Sequence, residues 1–379
     1  MRKYIILILL FAAGVWPQAS AQTAIDTSAR EAILVDAGTG TVLFEKNADT
    51  LMHPASMSKL MTIAMVFDRL ADGSIKMEDT FPVSESAWRI QGSKMFVELG
   101  ARIPVADLLR GIIVQSGNDA CVVIAEGIGG DEQNFARKMT ERAREIGMTH
   151  SEFRNASGWP DPEHMMTARD LATLAGYLVN KHKQYYGIFA EIDFTWHGIK
   201  QGNRNPLLYS YPGADGLKTG HTEEAGYGLT GSAERNGRRL IVVVTGLDSD
   251  KHRGIEAERL LTLGFNEFET YTLLSAHQTL DEADVWLGDA DKIPLVAGTD
   301  IRVTLPRAAR KSLQAKLVYQ TPVAAPVAQG AQVGTVTFTA AGMQPITVPV
   351  TAGAAVEKLG FLGKIPAAFN YLLWGASSG

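Results

Sequence analysis

The sequence predicts an α+β fold: an antiparallel sheet flanked by helices, then a small all-β domain and a C-terminal amphipathic helix. Three observations predict it. Strand-like segments at residues 32–46 and 216–246 bracket a stretch whose apolar residues recur at helical spacing. After about residue 272 the pattern becomes short alternating segments separated by Gly and Pro. Residues 356–379 then return to a three- and four-residue spacing.

Taken in order, Arg2 and Lys3 precede an apolar run from Tyr4 to Trp16, followed by Pro17 and Ala19-Ser20-Ala21. A basic start, a short apolar core and an A-x-A site read as a secretory signal over 1–21, cleaved after Ala21. The alternative, an uncleaved anchor, meets a run shorter than the ~20 residues a membrane span needs. "AILVDAGTGTVLFEK" at 32–46 reads as a hairpin turned by glycine. A helix follows from about Pro54 to Leu70, with proline near the first position, where its missing N–H costs nothing. Further helices are expected at 104–115, 131–147 and 167–181.

Between 216 and 246, "GLKTGHT" and "GYGLTGSAERNGRRLIVVVTG" read as strands, with Asn236-Gly237 as a hairpin turn. Distant parts of the chain must therefore close one sheet, with helices on both faces, including one around 255–264. The main domain spans 22–272 on this reading. Residues 273–355, with "DIRVTLP", "AKLVYQTP", "GTVTFTAA" and "PITVPVTAG", form the β-sandwich-like domain. In 356–379, Leu359, Leu362, Ile365, Phe369 and Leu372 line one helical face, with Lys358, Lys364 and Trp374 beside them. Such a helix suits a membrane interface; the alternative is docking on its own domain.

Composition excludes several classes. A formal charge of −5 and the absence of a long basic run argue against a nucleic-acid partner. The one cysteine, Cys121, cannot form an intramolecular disulfide, and its neighbours Ala120, Val122 and Val123 place it in a buried helix. Neither a cofactor motif nor a clustered set of metal ligands is present in the sequence, so none is called for.

The chemistry lies in three short motifs. Ser56-Met57-Ser58-Lys59 is the only S-x-x-K in the chain. Residues three apart on a helix are neighbours, and a lysine whose pKa is depressed by burial can take a serine's proton. Ser116-Gly117-Asn118 offers a hydroxyl and a carboxamide from one turn; alone, it reads first as a capping serine. Lys218-Thr219-Gly220, on an edge strand, adds a second cation, a hydroxyl for a carboxylate and a glycine that admits a substrate backbone.

In order, the three motifs match a known signature of penicillin-binding proteins and class A β-lactamases. With Val114–Cys121, Thr167–Ala172 and Asp215–Tyr227, the chain resembles the low-molecular-weight penicillin-binding proteins that act as D-alanyl-D-alanine carboxypeptidases. The resemblance implies a β-lactamase/transpeptidase-like catalytic domain, then the β domain and a membrane-bound tail. Ser56 would be the acylated nucleophile, Lys59 its base, and Ser116 a proton relay in a network with Lys59 and Lys218. Asn118 would bind the substrate amide, Lys218 would keep the site positive, and Thr219 would bind the terminal carboxylate. The N–H groups of Ser56 and His221 would form the oxyanion hole. Arg253 stands where the family carries an arginine that attracts the carboxylate, against the alternative of a solvated surface arginine. His164 reads as structural. The implied substrate is a peptidoglycan stem pentapeptide, the implied inhibitors are β-lactams, and the implied location is the periplasmic face of the inner membrane.

Three other readings compete. A class A β-lactamase needs a glutamate in an E-x-x-L-N setting, and Glu152 and Glu163 lack that context. A decayed scaffold conflicts with an intact motif set. A transpeptidase or endopeptidase would use the same residues on another acceptor or bond.

Overall fold

The computed structural model describes residues 2–7, 26–341 and 343–360. They form two compact units divided after Asn266, a few residues before the boundary read from the sequence.

In the first unit, strands β1 (Glu31–Asp36), β2 (Val42–Lys46), β3 (Ala214–Thr222), β4 (Gly226–Arg235) and β5 (Arg238–Leu247) make an antiparallel sheet in the order β2-β1-β5-β4-β3. Val242 faces Leu34 on one side and Gly231 on the other. Asn236 and Gly237 take φ of 52° and 74°, the left-handed pair a tight hairpin needs. Leu240 to Val244 are all buried, because both sheet faces are covered and alternation gives way to a continuous apolar run. Helix α5 (Ala168–Lys181) brings Gly176 toward Ile241, while α6 (Asp250–Glu267) sets Gly264 against Leu240 and Leu34. Adjacent residues of β5 thus meet helices on opposite faces.

Helix α1 (Lys59–Ala71) is buried nearly all round, from Lys59 through Phe67, which marks a central core helix rather than an amphipathic surface one. The expected helix from Pro54 differs in one respect. Ala55–Ser58 is a 3₁₀ turn, and the α-helix starts at Lys59. Ala55 holds a left-handed φ of 48°, so the backbone cannot run helically through it. Helices α2 (Val105–Ile113), α3 (Asn118–Gly129) and α4 (Glu132–Glu145) pack around α1. Asp131 caps α4 and Thr167 caps α5, each accepting an N–H from three residues on.

The second unit is all-β. Gln314–Gln320, Gln332–Thr339, Ile346–Ala352, Lys292–Ala297 and Thr279–Trp286 are consecutive neighbours in one sheet, and Phe268–Leu274 pairs with Ile301–Pro306 in another. Its core gathers Ala283, Ile293, Leu295, Val336, Phe338 and Val350. Of the leader read over 1–21, Arg2–Leu7 is described, as a strand antiparallel to Gln314–Gln320; the cleavage site lies outside the described residues. The tail helix read over 356–379 lies mostly outside them too. Its first residues are extended: Val356 bridges Val327 and Lys358 bridges Gly288.

Candidate active site

Three polar side chains in the apolar first turns of α1 and the turn before it explain themselves through one loop, residues 155–164. Ser58 Oγ lies 2.7 Å from His164 Nε2, Thr62 Oγ1 donates to Ala156 O at 2.6 Å, and Lys59 Nζ donates to Ser157 O at 2.6 Å. Burial pushes the His164 imidazole down to about 4, so it is neutral at ordinary pH and serves as a structural partner. The loop is pressed onto the 3₁₀ turn at Gly158, where a Cβ would lie 1.9 Å from Ala55 O.

Lys59 Nζ has two further partners, Ser56 Oγ at 2.8 Å and Asn118 Oδ1 at 2.8 Å. The amine is fully buried, and desolvation, aided by the nearby Arg204 cation, lowers its pKa to about 8. The spacing that put Ser56 and Lys59 together thus gives an amine that is partly neutral at physiological pH and within hydrogen-bond reach of a hydroxyl.

Asn118 opens α3. Its Nδ2 donates to Gln91 O at 2.8 Å, which leaves the second hydrogen of that amide for a ligand. Asp119, which the sequence reading passed over, accepts from the N–H groups of Met95, Phe96 and Val97. It pins the 91–97 loop beside the cleft. Ser116 is buried with a left-handed φ of 59°. It does not cap α3, and its Oγ has no hydrogen-bond partner among the described residues. The expected Ser116–Lys59–Lys218 hydrogen-bond network is therefore not closed here.

Across the cleft, Lys218, Thr219, Gly220 and His221 lie on edge strand β3. Lys218 Nζ donates to Thr219 O at 3.2 Å, and burial, then the charge of Lys59, holds its pKa well below the ordinary value. Each amine lowers the other's pKa, and the charges of Arg204 and Arg253 act on Lys218 in the same direction. Gly220 also has a packing role. A Cβ there would lie 2.9 Å from Pro54 O and 3.2 Å from Met57 Cγ, so its small size serves the packing of β3 onto the Ser56 turn. The His221 ring stacks on Tyr227 at 3.8 Å, and the Arg253 guanidinium lies 5.5 Å from the same Tyr227 ring.

Arg253 is not a solvated surface arginine. It is 5% exposed, donates to Gly220 O at 3.1 Å and pairs with Asp250. One amino group of its fork is spent on the backbone carbonyls of Gly220 and Gly228 and the other on Asp250. Arg204, not singled out from the sequence, is the less committed cation. It donates to Ser93 Oγ at 2.7 Å, and its charge is felt at Lys59, Lys218 and Arg253. No motif marks it: it follows a short hairpin, Asp193–Trp196 with Ile199–Gly202, that the sequence did not announce.

A serine, a buried amine of lowered pKa and a facing edge strand define a serine-type hydrolase site on a helix-flanked antiparallel sheet. Comparison with known proteins makes the assignment specific. The D-alanyl-D-alanine carboxypeptidase family of peptidases matches residues 18–249, and the penicillin-binding protein 5 C-terminal domain matches 268–358. The chain is 38% identical to the D-alanyl-D-alanine carboxypeptidase DacC of Escherichia coli, over 94% of this chain and 92% of that one. Penicillin-binding protein 5 of Haemophilus influenzae superposes with a TM-score of 0.81 at 35% identity, covering 91% of this chain and 100% of that one. Penicillin-binding protein 6B of Escherichia coli does so with a TM-score of 0.74 at 31% identity, covering 88% and 98%. The chain belongs to the D-alanyl-D-alanine carboxypeptidase family, penicillin-binding enzymes of the serine-peptidase type.

Proposed function

We propose that the chain trims the terminal D-alanine from peptidoglycan stem pentapeptides through an acyl-enzyme on Ser56. The observation that carries this is the 2.8 Å contact between Ser56 Oγ and a fully buried Lys59 amine. Ser56 Oγ attacks the carbonyl carbon of the penultimate D-alanine while its proton passes to Lys59 Nζ. The N–H groups of Ser56 and His221 hold the oxyanion; losing one such donor typically costs ~100–1000-fold. The C–N bond then breaks, and the departing amine takes the proton from Lys59 through Ser116, whose uncommitted hydroxyl suits a relay. Lys59 then takes a proton from water, the hydroxide attacks the acyl carbon, and Ser56 Oγ leaves as it recovers the proton from Lys59. Asn118 Nδ2 binds the acyl-side amide, and Thr219 with Arg204 binds the terminal carboxylate. Arg253 supports this arrangement by fixing β3. β-Lactams, which mimic the D-alanine pair, acylate the same serine.

The test is an intact-mass time course with benzylpenicillin beside Ser56→Ala. A lasting adduct on the wild type alone, with D-alanine release from a pentapeptide, supports the proposal. Penicillin consumed without an adduct refutes it in favour of a β-lactamase.

We also propose that the chain works after export, on the periplasmic face of the inner membrane, held there by residues 356–379. The basic-apolar leader and the apolar spacing of the tail support this. Vesicle flotation with and without 356–379 tests it: equal flotation of both forms refutes attachment through the tail.

A further inference from the structure

Trp159 leaves 44% of its surface exposed beside the cleft, although the backbone beneath it is firmly held. Asn155 grips it at both ends: Asn155 Oδ1 accepts the Trp159 N–H at 3.0 Å, and Asn155 Nδ2 donates to Trp159 O at 3.0 Å. The preceding Gly158 is wedged against Ala55, and Ser157 O is an acceptor for Lys59. The ring is therefore presented from the same rigid loop that holds the catalytic amine.

The ring borders Asn118. A Cβ built on Gly92 would lie 2.8 Å from Trp159 Cζ3 and 2.7 Å from Asn118 Nδ2, so the aromatic edge and the amide flank one point on the cleft wall. On its other side Trp159 borders a depression shared with Pro54, Ala55 and Thr222 at the end of β3. A ring left 44% exposed between these positions is open to a ligand. The exposed ring offers apolar contact to whatever leaves the Asn118 amide on the acyl side.

We infer that Trp159 is a specificity-determining residue, an aromatic wall that packs against the substituent carried on the acyl side of the scissile bond. In a stem peptide this is the long methylene side chain of the diamino acid preceding the D-alanine pair. In a penicillin it is the acylamino group. This rests on the acyl-serine reading, and the geometry adds to it a preference for ligands bearing an apolar or aryl acyl-side group. Gly92 is part of the same device, because any side chain there would separate the ring from the amide.

The experiment compares acylation rate constants, followed by intact mass, for benzylpenicillin and 6-aminopenicillanic acid, which share a nucleus but differ in the acyl-side group. In Trp159→Ala, benzylpenicillin acylation falls about 10-fold, while 6-aminopenicillanic acid changes less than about 2-fold. Trp159→Phe retains the discrimination to within about 3-fold. Equal losses for both compounds would show that the ring merely supports the loop, and no loss for either that it meets no ligand; each overturns the inference alone. A wild type that neither compound acylates overturns the acyl-serine reading, and this inference with it.

Discussion

Acylation by this enzyme should climb with pH and level off near 8. Lys59 must be neutral to accept the Ser56 proton, and burial lowers its pKa from 10.5 to about 8. The neutral fraction is then about 1% at pH 6, about 10% at pH 7 and about half at pH 8. An unshifted lysine would be neutral about 300-fold less often at pH 7. The second-order rate of benzylpenicillin acylation, read by intact mass between pH 6 and 9, should rise about tenfold per unit up to pH 7 and flatten past 8. Arg204→Gln removes a cation that helps to depress Lys59, so its midpoint should move to higher pH and its rate at pH 7 should drop. Lys59→Ala should lose about 100- to 10,000-fold and lose the slope. A rate that is flat from pH 6 to 8, or an unchanged profile in Lys59→Ala, would refute Lys59 as the base.

The same burial strains the fold. Below pH 8 the folded chain must hold a buried charged amine, whereas the unfolded chain keeps that proton up to 10.5. The unfolded state binds more protons between these values, so stability rises with pH across that window and the penalty is fully present below it. Chemical denaturation of Lys59→Met should show its advantage over wild type shrinking by about 3 kcal/mol from pH 7 to pH 10.5; a constant difference would refute the linkage. Asp119→Ala, which strands three backbone N–H groups, should cost at least about 3 kcal/mol in urea unfolding. Gly158→Ala, at a φ of 73° and against Ala55 O, should destabilise by more than about 3 kcal/mol and slow Ser56 acylation; a melting temperature within a degree of wild type would count against the wedge.

The helices and strands that the sequence announced are those whose signals are local. Asn236-Gly237 marks a turn whatever surrounds it, and the 131–147 and 167–181 periodicities carry their own caps at Asp131 and Thr167. Ser56, Lys59, Ser116, Asn118 and Lys218 could be read because their motifs are short. What escaped is what depends on contacts across the fold. The 3₁₀ turn at Ala55–Ser58 stands where a helix start was expected, with a left-handed Ala55 and the distant Gly158 packed against it. The purpose of Gly220 became visible only against Pro54 and Met57. Arg204 and Trp159 carry no motif; proximity to Lys59 and Asn118 alone marks them out.

The pairing of β1 with β5 joins residues 31–36 to 238–247, and this separation has a temporal meaning. A chain made from its N-terminus holds Ser56 and Lys59 early, but the edge strand that faces them hangs from β4 and β5. The central strand of that sheet cannot be laid down until residue 247 has emerged. Contacts so remote in sequence form slowly, since a long loop must close before they yield any energy. Until residue 247 has been made, the edge strand that carries Lys218, Thr219 and Gly220 lacks the sheet that holds it opposite Ser56.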